Sequence, residues 1–325
     1  MKTVVTHPHK RRRKPVVVTH PGSAHLDEFL SCCLLIAADK VGRGIERRVL
    51  FDGSRAGDVE GDLNDPNVIV LDQGGRHEPE LLNFDHHQFD RDAAPECSIT
   101  LILPYLGIDV EKARSIWGWL EFSELLDSKG PFATAEKLGS NPEALFAGVS
   151  PIETTVLRWF EGHGEISSSC GLNPLWDLMY RIGKEKLDYL NEVVERHKVL
   201  DKWARVHRLY HRPGIMVKGL VVVDATVIKR DKNPVMGLES WIQTNEALEE
   251  EGETVAVTVT QDDRGDGLSL FRRNDDPRID FSLLEGKEGV VFAHKGGFVA
   301  KLAAGVDWKP CVVKSIVRHT HTDDV

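Results

Sequence analysis

Cysteine motifs, long apolar runs and signal sequences are all missing from this chain of 325 residues. Its five cysteines include no CxxC pair, so the sequence indicates neither a disulfide framework nor a cysteine zinc site. The longest apolar stretch, residues 29–38, is about half of the roughly 20 residues that a membrane helix needs, and no cleavable signal pattern precedes it. These absences predict a soluble, cytoplasmic protein that does not contact a membrane.

Acidic residues outnumber basic ones outside the first fourteen residues. The chain has 41 Lys and Arg against 51 Asp and Glu, and six of the basic residues fall within 1–14, which contains no acid. Residues 15–325 therefore carry 35 − 51 = −16. An acidic body of this kind offers long nucleic acid a poor general surface, because non-specific binding depends on neutralising phosphates. We interpret residues 1–14 as a flexible basic arm.

Short apolar strands alternate with helices in the first half of the chain. Residues 15–19 (PVVVT), 48–51 (RVLF) and 67–71 (NVIVL) are typical of strands, and the segment from Asp27 to Lys40 is typical of a helix. This alternation predicts an α/β fold with a mainly parallel sheet and helices on both faces. Ligands of such sheets gather at the carboxyl ends of the strands.

Helices are predicted over residues 98–127, 152–162 and 174–205, with a turn-rich connection over 131–151. We expect residues 15–205 to form one domain that includes this helical connector.

The pattern changes after Gly214. Residues 214–224 are strand-like and 239–251 helical, and two further strand-like runs flank the turn DDRGDG at 262–267, which indicates a hairpin. Residues 206–325 are therefore predicted to form a smaller α+β domain.

Acids and imidazoles follow three of the predicted strand regions. The segments are 19–28 (THPGSAHLDE), 70–75 (VLDQGG) and 83–88 (NFDHHQ). The Pro-Gly turn can bring His20 and His25 toward one point, and Asp27 toward a neighbouring point. Mixed imidazole and carboxylate ligands suit Mn²⁺, Fe²⁺, Co²⁺ or Zn²⁺ better than Mg²⁺, so this pattern predicts a metal site.

Two of these acids have simpler interpretations. Asp72 alone could cap the glycine-rich turn that follows it. Glu28 fits an acid in the first turn of a helix, and we assign it no catalytic role.

The three segments resemble the motifs of the DHH superfamily of metal-dependent phosphoesterases, whose Asp-His-His triplet stands here as Asp85-His86-His87. The first segment is similar to that of the melanocyte-proliferating-gene protein family, an exonuclease-related branch. Asp127, within FSELLDSKG, matches the helix-borne aspartate of a fourth motif. Residues 292–298 (FAHKGGF) resemble the Gly-Gly substrate loop of the second domain. The resemblance thus implies that 15–205 is the catalytic, metal-binding domain and 206–325 the substrate-binding domain.

The resemblance implies two divalent metals, usually Mn²⁺, and leaves Mg²⁺, Co²⁺ and Zn²⁺ open. It assigns His20, His25 and Asp72 to the first metal, and Asp27, Asp72, His86 and Asp127 to the second, with Asp72 as the bridge. It makes Asp85 and His87 neighbours that orient ligands or face a phosphate, so that Asp72, His87 and Asp85 are the catalytic candidates. The candidates for holding a phosphate or terminal nucleotide are Arg272, Arg273, His294, Lys295, Gly296 and Gly297.

The expected function is two-metal hydrolysis of phosphodiester bonds, by an exonuclease or a short-oligonucleotide phosphodiesterase. The expected partner is a short nucleic acid or a nucleotide-like phosphate ester, and a homodimer is left open. The alternatives are a phosphomonoesterase, a manganese pyrophosphatase and a metal-binding regulatory protein with a vestigial site. A nucleophilic hydrolase is disfavoured because no GxSxG elbow is present.

Overall fold

The computed structural model describes residues 14–42, 44–47, 60–168, 173–209 and 219–317. The chain divides into two compact units, 1–190 and 191–325. The basic arm up to residue 13, the predicted strand at 48–51 and the first residues of the strand predicted from Gly214 lie outside the described residues.

The first unit has a mixed α/β composition. Its elements are β1 (Val16–Thr19), α1 (Leu26–Ala37), β2 (Ile45–Arg47), α2 (Glu60–Leu63), β3 (Val68–Leu71), β4 (His77–Glu78), β5 (Asn83–Phe84), α3 (Ser98–Ile102), α4 (Val110–Ile116), α5 (Leu120–Lys137), α6 (Pro142–Ala147), α7 (Pro151–Glu161), β6 (Glu165–Ile166) and α8 (Pro174–Trp203), within which the division between the units falls.

The sheet of the first unit runs in the order β4-β5-β3-β1-β2-β6. The four inner strands are parallel neighbours, with Val17 opposite both Ile69 and Ile45, whereas β4 and β6 pair antiparallel at the edges. The carboxyl ends of β1, β3 and β5 therefore meet at one edge of the sheet, where ligands of parallel sheets gather.

Helix α1 is buried along most of its length. Every residue from Asp27 to Ile36 is buried, which explains why the segment is apolar on all sides rather than amphipathic. Two acids, Asp27 and Glu28, lie in its first turn and are buried together with the apolar residues. Burying carboxylates at this position is costly unless they have partners, so the first turn of α1 marks a polar site.

The turn-rich connection predicted over residues 131–151 is wrong. Helix α5 continues to Lys137, and α6 follows. Gly130 interrupts α5 with φ 78°, a left-handed conformation that glycine adopts without steric cost. Pro131 then restarts the helix, because the fixed φ of proline suits a first helical turn.

In the described part of the second unit, one six-stranded sheet is accompanied by two helices and the end of α8. Its elements are β7 (Arg205–Leu209), β8 (Leu220–Asp224), α9 (Leu238–Thr244), β9 (Thr254–Gln261), β10 (Leu268–Arg272), β11 (Val290–Ala293), β12 (Val299–Leu302) and α10 (Trp308–Lys314). The sheet order is β11-β12-β10-β9-β8-β7. The predicted hairpin is confirmed, with Gln261 opposite Leu268, whereas β7 was not predicted and α9 is shorter than expected.

Apolar clusters lie against both faces of this second sheet. One combines Leu270 and Ala300 with Trp308 of α10. The other combines Val223 of β8 with Trp241 of α9. Among the helices in the described ranges, none is long and apolar enough to cross a membrane.

Candidate metal centre

The candidate residues of the first unit follow the strands that meet at one sheet edge. His20 comes directly after β1, Asp72 after β3, and Asp85 after β5. Parallel pairing of β1 with β3 and of β3 with β5 brings these positions together. Asp27 reaches the same place from α1, and Asp127 from α5.

The turn after β3 fixes Asp72 and Asp85. Asp72 adopts φ 55° and Gly75 φ 66°. A non-glycine residue in the left-handed region costs about 1 kcal/mol or more and is common at functional sites. The backbone N–H of Gly75 donates to Asp85 Oδ2 over 2.6 Å, so the turn that begins with one carboxylate also holds the next.

The first candidate ligand group consists of His20, His25 and Asp72. One potential ligand atom from each residue lies within 4.8 Å of the others. Nδ1 of His20 is 2.8 Å from the carbonyl oxygen of Pro21, to which it donates, and Nε2 lies 3.3 Å from Asp72 Oδ2. In the neutral tautomer, Nε2 of His20 thus keeps its lone pair for a metal. The His25 side chain is about half exposed, so solvent reaches this group.

The second candidate group consists of Asp27, Asp72, His86 and Asp127, again with ligand atoms within 4.8 Å. His86 Nε2 lies 3.1 Å from Asp72 Oδ1 and 2.7 Å from Asp127 Oδ2. Asp27 Oδ2 accepts a hydrogen bond from the backbone N–H of Ser98, whereas Asp27 Oδ1 is buried without a hydrogen-bond partner in the described chain. Asp72 belongs to both groups.

Asp85 and His87 form a further candidate ligand group with Asp72 and His86, whose potential ligand atoms also lie within 4.8 Å of one another, and Asp85 holds His87 in place. Asp85 Oδ1 accepts hydrogen bonds from the backbone N–H of His87 over 3.2 Å and from its Nδ1 over 2.6 Å. Although burial raises the pKa of Asp85, the bonds from His87 and Gly75 lower it below its usual range. The hydrogen bond to Asp85 raises the pKa of His87. The His87 side chain is 60% exposed, so it can contact a bound molecule.

The two buried imidazoles have strongly raised pKa values. Burial lowers the pKa of His20, but the hydrogen bond with Asp72 and the charge of Glu28 outweigh it and raise the pKa to about 9. Burial likewise lowers the pKa of His86, and hydrogen bonds with Asp127 and Asp72 raise it to about 10. In the metal-free protein, these imidazoles are therefore protonated at neutral pH, and their positive charge offsets part of the negative charge of the neighbouring carboxylates.

The carboxylates shift in opposite directions. Burial, together with the charges of Asp72 and Asp127, raises the pKa of Asp27 well above its usual value. Burial also acts to raise the pKa of Asp72, but its hydrogen bonds with His20 and His86 lower it. Asp72 thus stays ionised, as a shared ligand must.

Glu28 also belongs to the surroundings of this site, although its sequence position favoured a plain first-turn acid. It is fully buried. Its Oε1 accepts from the backbone N–H of His25 over 3.3 Å, and its Oε2 lies 3.4 Å from His20 Nε2. The spacing His25-x-x-Glu28 is that of a capping box, which is the sequence signal that could have assigned it.

The residues present fit a divalent cation. Imidazole nitrogens and carboxylate oxygens are the ligands that Mn²⁺, Fe²⁺, Co²⁺ and Zn²⁺ share. Several carboxylates buried side by side repel one another, and a bound cation would remove that repulsion while giving Asp27 Oδ1 a partner. These acidic and histidine groups could hold a metal ion whose identity is open.

The candidate substrate residues of the second unit lie around the end of β10 and the β11–β12 loop. Arg272 donates to the carbonyl of Ile279 and to Asp275, and Arg273 forms a two-pronged pair with Glu239. Both arginines therefore already have acidic partners.

The β11–β12 loop contains the other four candidates. His294 Nδ1 accepts a hydrogen bond from the backbone N–H of Gly296, and its ring lies 4.1 Å from that of Phe298. Gly297 has φ 70°, and a Cβ there would meet Asp280. Lys295 and Gly296 are exposed, so this tight loop presents backbone and an ammonium group to solvent.

Comparisons with known proteins give only distant likenesses. No family model matches the chain, and no curated protein matches it. One similar solved structure is a pGpG-specific phosphodiesterase, PggH, from Vibrio cholerae, at 14% identity and TM-score 0.27, covering 93% of this chain and 96% of that chain. Another is an exopolyphosphatase-related protein from Bacteroides fragilis, at 11% identity and TM-score 0.24, covering 93% of this chain and 91% of that chain. At these TM-scores the likenesses carry no argument about fold or activity.

Proposed function

We propose that the chain is a two-metal phosphohydrolase that cleaves phosphodiester bonds in short nucleic acids or at the end of a chain. The observation that carries the proposal is the membership of Asp72 in both candidate ligand groups. A carboxylate shared by two groups is the ligand expected between two adjacent cations. The resemblance of the three motifs to those of DHH phosphoesterases supports the same assignment.

The chain's own residues would bind and orient. His20, His25 and Asp72 would hold one cation, and Asp27, Asp72, His86 and Asp127 the other. Two cations bound there would activate a water molecule and stabilise the negative charge on the oxygens around the reacting phosphorus. His87, exposed and held by Asp85, would contact a phosphate oxygen and donate a hydrogen bond to it.

Charge pairing in the second unit favours a short substrate over a long strand. Four of the basic residues described there are matched with acids: Arg272 with Asp275, Arg273 with Glu239, Arg278 with Asp276, and Lys301 with Asp262. Tracking a long single strand requires a continuous positively charged groove. Basic side chains that are paired with acids provide no such groove in the described part of this unit. The proposed substrate is therefore an oligonucleotide of a few nucleotides or the end of a nucleic-acid chain.

A screen with Mn²⁺ tests the proposal. Mononucleotides, pyrophosphate, dinucleotides and end-labelled RNA and DNA would be incubated with the full chain, with Mn²⁺ or with EDTA. Phosphodiester cleavage with Mn²⁺, lost in EDTA and in Asp72→Asn, is the expected result. Release of phosphate from mononucleotides or pyrophosphate alone would assign the phosphomonoesterase or pyrophosphatase alternative. Metal binding without cleavage of any ester would assign the vestigial, regulatory alternative.

A crystallographic measurement tests the metals separately. Anomalous scattering from crystals grown with Mn²⁺ is expected to give two peaks, one in each ligand group. Occupied sites elsewhere with neither group filled would contradict the proposal.

A further inference from the structure

The second unit contains a cavity of about 520 Å³ on one face of its sheet. Side chains of β10 and β12 alternate between the faces: Leu270 and Ala300 belong to the core with α10, whereas Phe271 and Val299 line the cavity. Helix α9 packs on the neighbouring strands through Trp241, in a cluster with valines of β8 and β9. The cavity therefore lies beside α9, over the part of the sheet formed by β9, β10 and β12.

Two aromatic rings line the cavity and face solvent. Phe271 is 48% exposed and Phe292 is 47% exposed. Phenyl rings at such a wall offer flat faces on which a planar heterocycle can stack, and stacking of this kind tolerates any base. Neither ring is used by the candidate metal centre.

Hydroxyl groups form the polar part of the lining. Thr258, Thr260 and Ser269 line the same cavity, and all three residues are largely buried within the sheet. A hydroxyl both donates and accepts hydrogen bonds. Three of them beside two aromatic rings can pair with the mixed donors and acceptors on the edge of a nucleic-acid base.

Most of the charged groups around the cavity are paired. The paired groups are Arg273 with Glu239, and Lys301 with Asp262 and Asp263. Arg264 also lines the cavity and is exposed. Within the described part of the chain, its guanidinium forms no ion pair. A guanidinium that forms no ion pair keeps its donors for a ligand, and guanidinium binds phosphate in a two-pronged geometry.

We propose that this cavity binds a nucleotide, with the base against Phe271 and Phe292 and the phosphate at Arg264. Its volume falls within the range of about 300 to 1,000 Å³ typical of small-molecule sites, which combine an apolar lining with a few polar groups. The inference rests on the proposed function for the class of ligand, because a short nucleic acid supplies the base, and it adds the place where that base would bind. Binding itself requires no hydrolysis and no metal.

The proposal is tested by isothermal titration calorimetry of the full chain in EDTA. The ligands are AMP, GMP, guanosine and ribose 5-phosphate. We expect both nucleotides to bind and ribose 5-phosphate to bind at least about 10-fold more weakly. Phe271→Ala and Phe292→Ala should each weaken GMP binding about 10-fold or more. Leu283→Ala, at a residue that is 47% exposed and outside the cavity lining, is the matched control and should leave binding unchanged. Arg264→Gln should weaken GMP binding and leave guanosine binding unchanged.

Three results would overturn the proposal: no binding by the wild-type chain at millimolar nucleotide, equal binding of ribose 5-phosphate and AMP, or unchanged binding in the phenylalanine variants. If Phe271→Ala fails to fold by circular dichroism, Phe271→Leu removes the ring and keeps the apolar bulk. Sedimentation that finds a dimer broken by Phe271→Ala, with unchanged nucleotide affinity, would assign this face to a second copy of the chain. Because titration in EDTA measures binding alone, its failure is distinguishable from failure of the Mn²⁺ screen.

Discussion

Nε2 of His86 lies 3.1 Å from Oδ1 of Asp72, and this contact joins the turn after β3 to the segment after β5. The same carboxylate reaches His20 through its other oxygen, at 3.3 Å. Each oxygen of Asp72 therefore faces the imidazole of a different ligand group. That arrangement makes Asp72 the position whose loss should affect both groups at once.

Replacing Asp72 with Asn should abolish binding of the second metal and lower phosphodiester turnover by more than about 100-fold. A loss of this size is expected because mutation of residues that only orient a metal ligand already lowers metal affinity or activity by about 10- to 100-fold. Metal content by mass spectrometry and turnover with Mn²⁺ measure the two effects. Asp92→Asn, at an exposed aspartate of the same unit, is the control and should behave as wild type. Retention of two metals and normal turnover by Asp72→Asn would exclude the shared-ligand assignment.

Metal binding should release protons at neutral pH. The pKa of His20 is raised to about 9 and that of His86 to about 10 in the metal-free protein, so both are protonated at pH 7.5. A metal must displace those protons from Nε2, so Mn²⁺ affinity should rise as the pH increases toward 9. Titration calorimetry in two buffers of different ionisation enthalpy should find about two protons released per chain. His20→Gln should lower that number by about one, and a proton count of zero would contradict the ligand assignment.

The strand-end residues could be predicted from the sequence because their signals are local. Short apolar runs ended at Thr19 and Leu71, and the polar residues that followed had to meet at one edge once the strands were parallel. Asp127 has no such signal: it lies on α5, about forty residues after β5, and only the resemblance to a known motif pointed to it. Tertiary packing brings it within 2.7 Å of His86.

Other features escaped prediction for identifiable physical reasons. Glu28 looked like an acid that favours the helix dipole, because sequence spacing does not reveal burial beside His20. Strand β7 follows directly on a 30-residue helix, so only Ala204 separates a helical pattern from an extended one. The break at Gly130 looked like the start of a loop because glycine before proline usually ends a helix.

At a pH above 9, where His20 is largely unprotonated in both proteins, Glu28→Gln should weaken Mn²⁺ binding by about 10- to 100-fold without unfolding the chain. The amide still accepts a bond from the backbone of His25 but no longer places a negative charge beside the ligand nitrogen of His20. The readouts are the dissociation constant for Mn²⁺ and the melting temperature. Glu80→Gln, at an exposed glutamate in the same unit, serves as the control. Equal Mn²⁺ affinity in both variants would show that Glu28 acts only as a helix cap.

Lys129 ties the helix that carries Asp127 to the loop after the Asp-His-His segment. Its ammonium donates to the carbonyl oxygens of Arg91 and Ala93 over 2.6 and 2.7 Å. Lys129→Met keeps most of the side-chain length and removes both bonds, so Asp127 should be held less firmly against His86. We expect Mn²⁺ affinity to fall about 10-fold, as for other residues that orient a ligand.

The matched control for Lys129 is Lys137→Met on the same helix, whose ion pair with Glu121 is exposed on both sides and contributes little. It should leave Mn²⁺ affinity unchanged. Lys129→Arg, which retains a cationic donor, should recover part of the lost affinity. Loss of thermal stability in Lys129→Met with unchanged Mn²⁺ affinity would mean that the two bonds stabilise the fold and do not position Asp127.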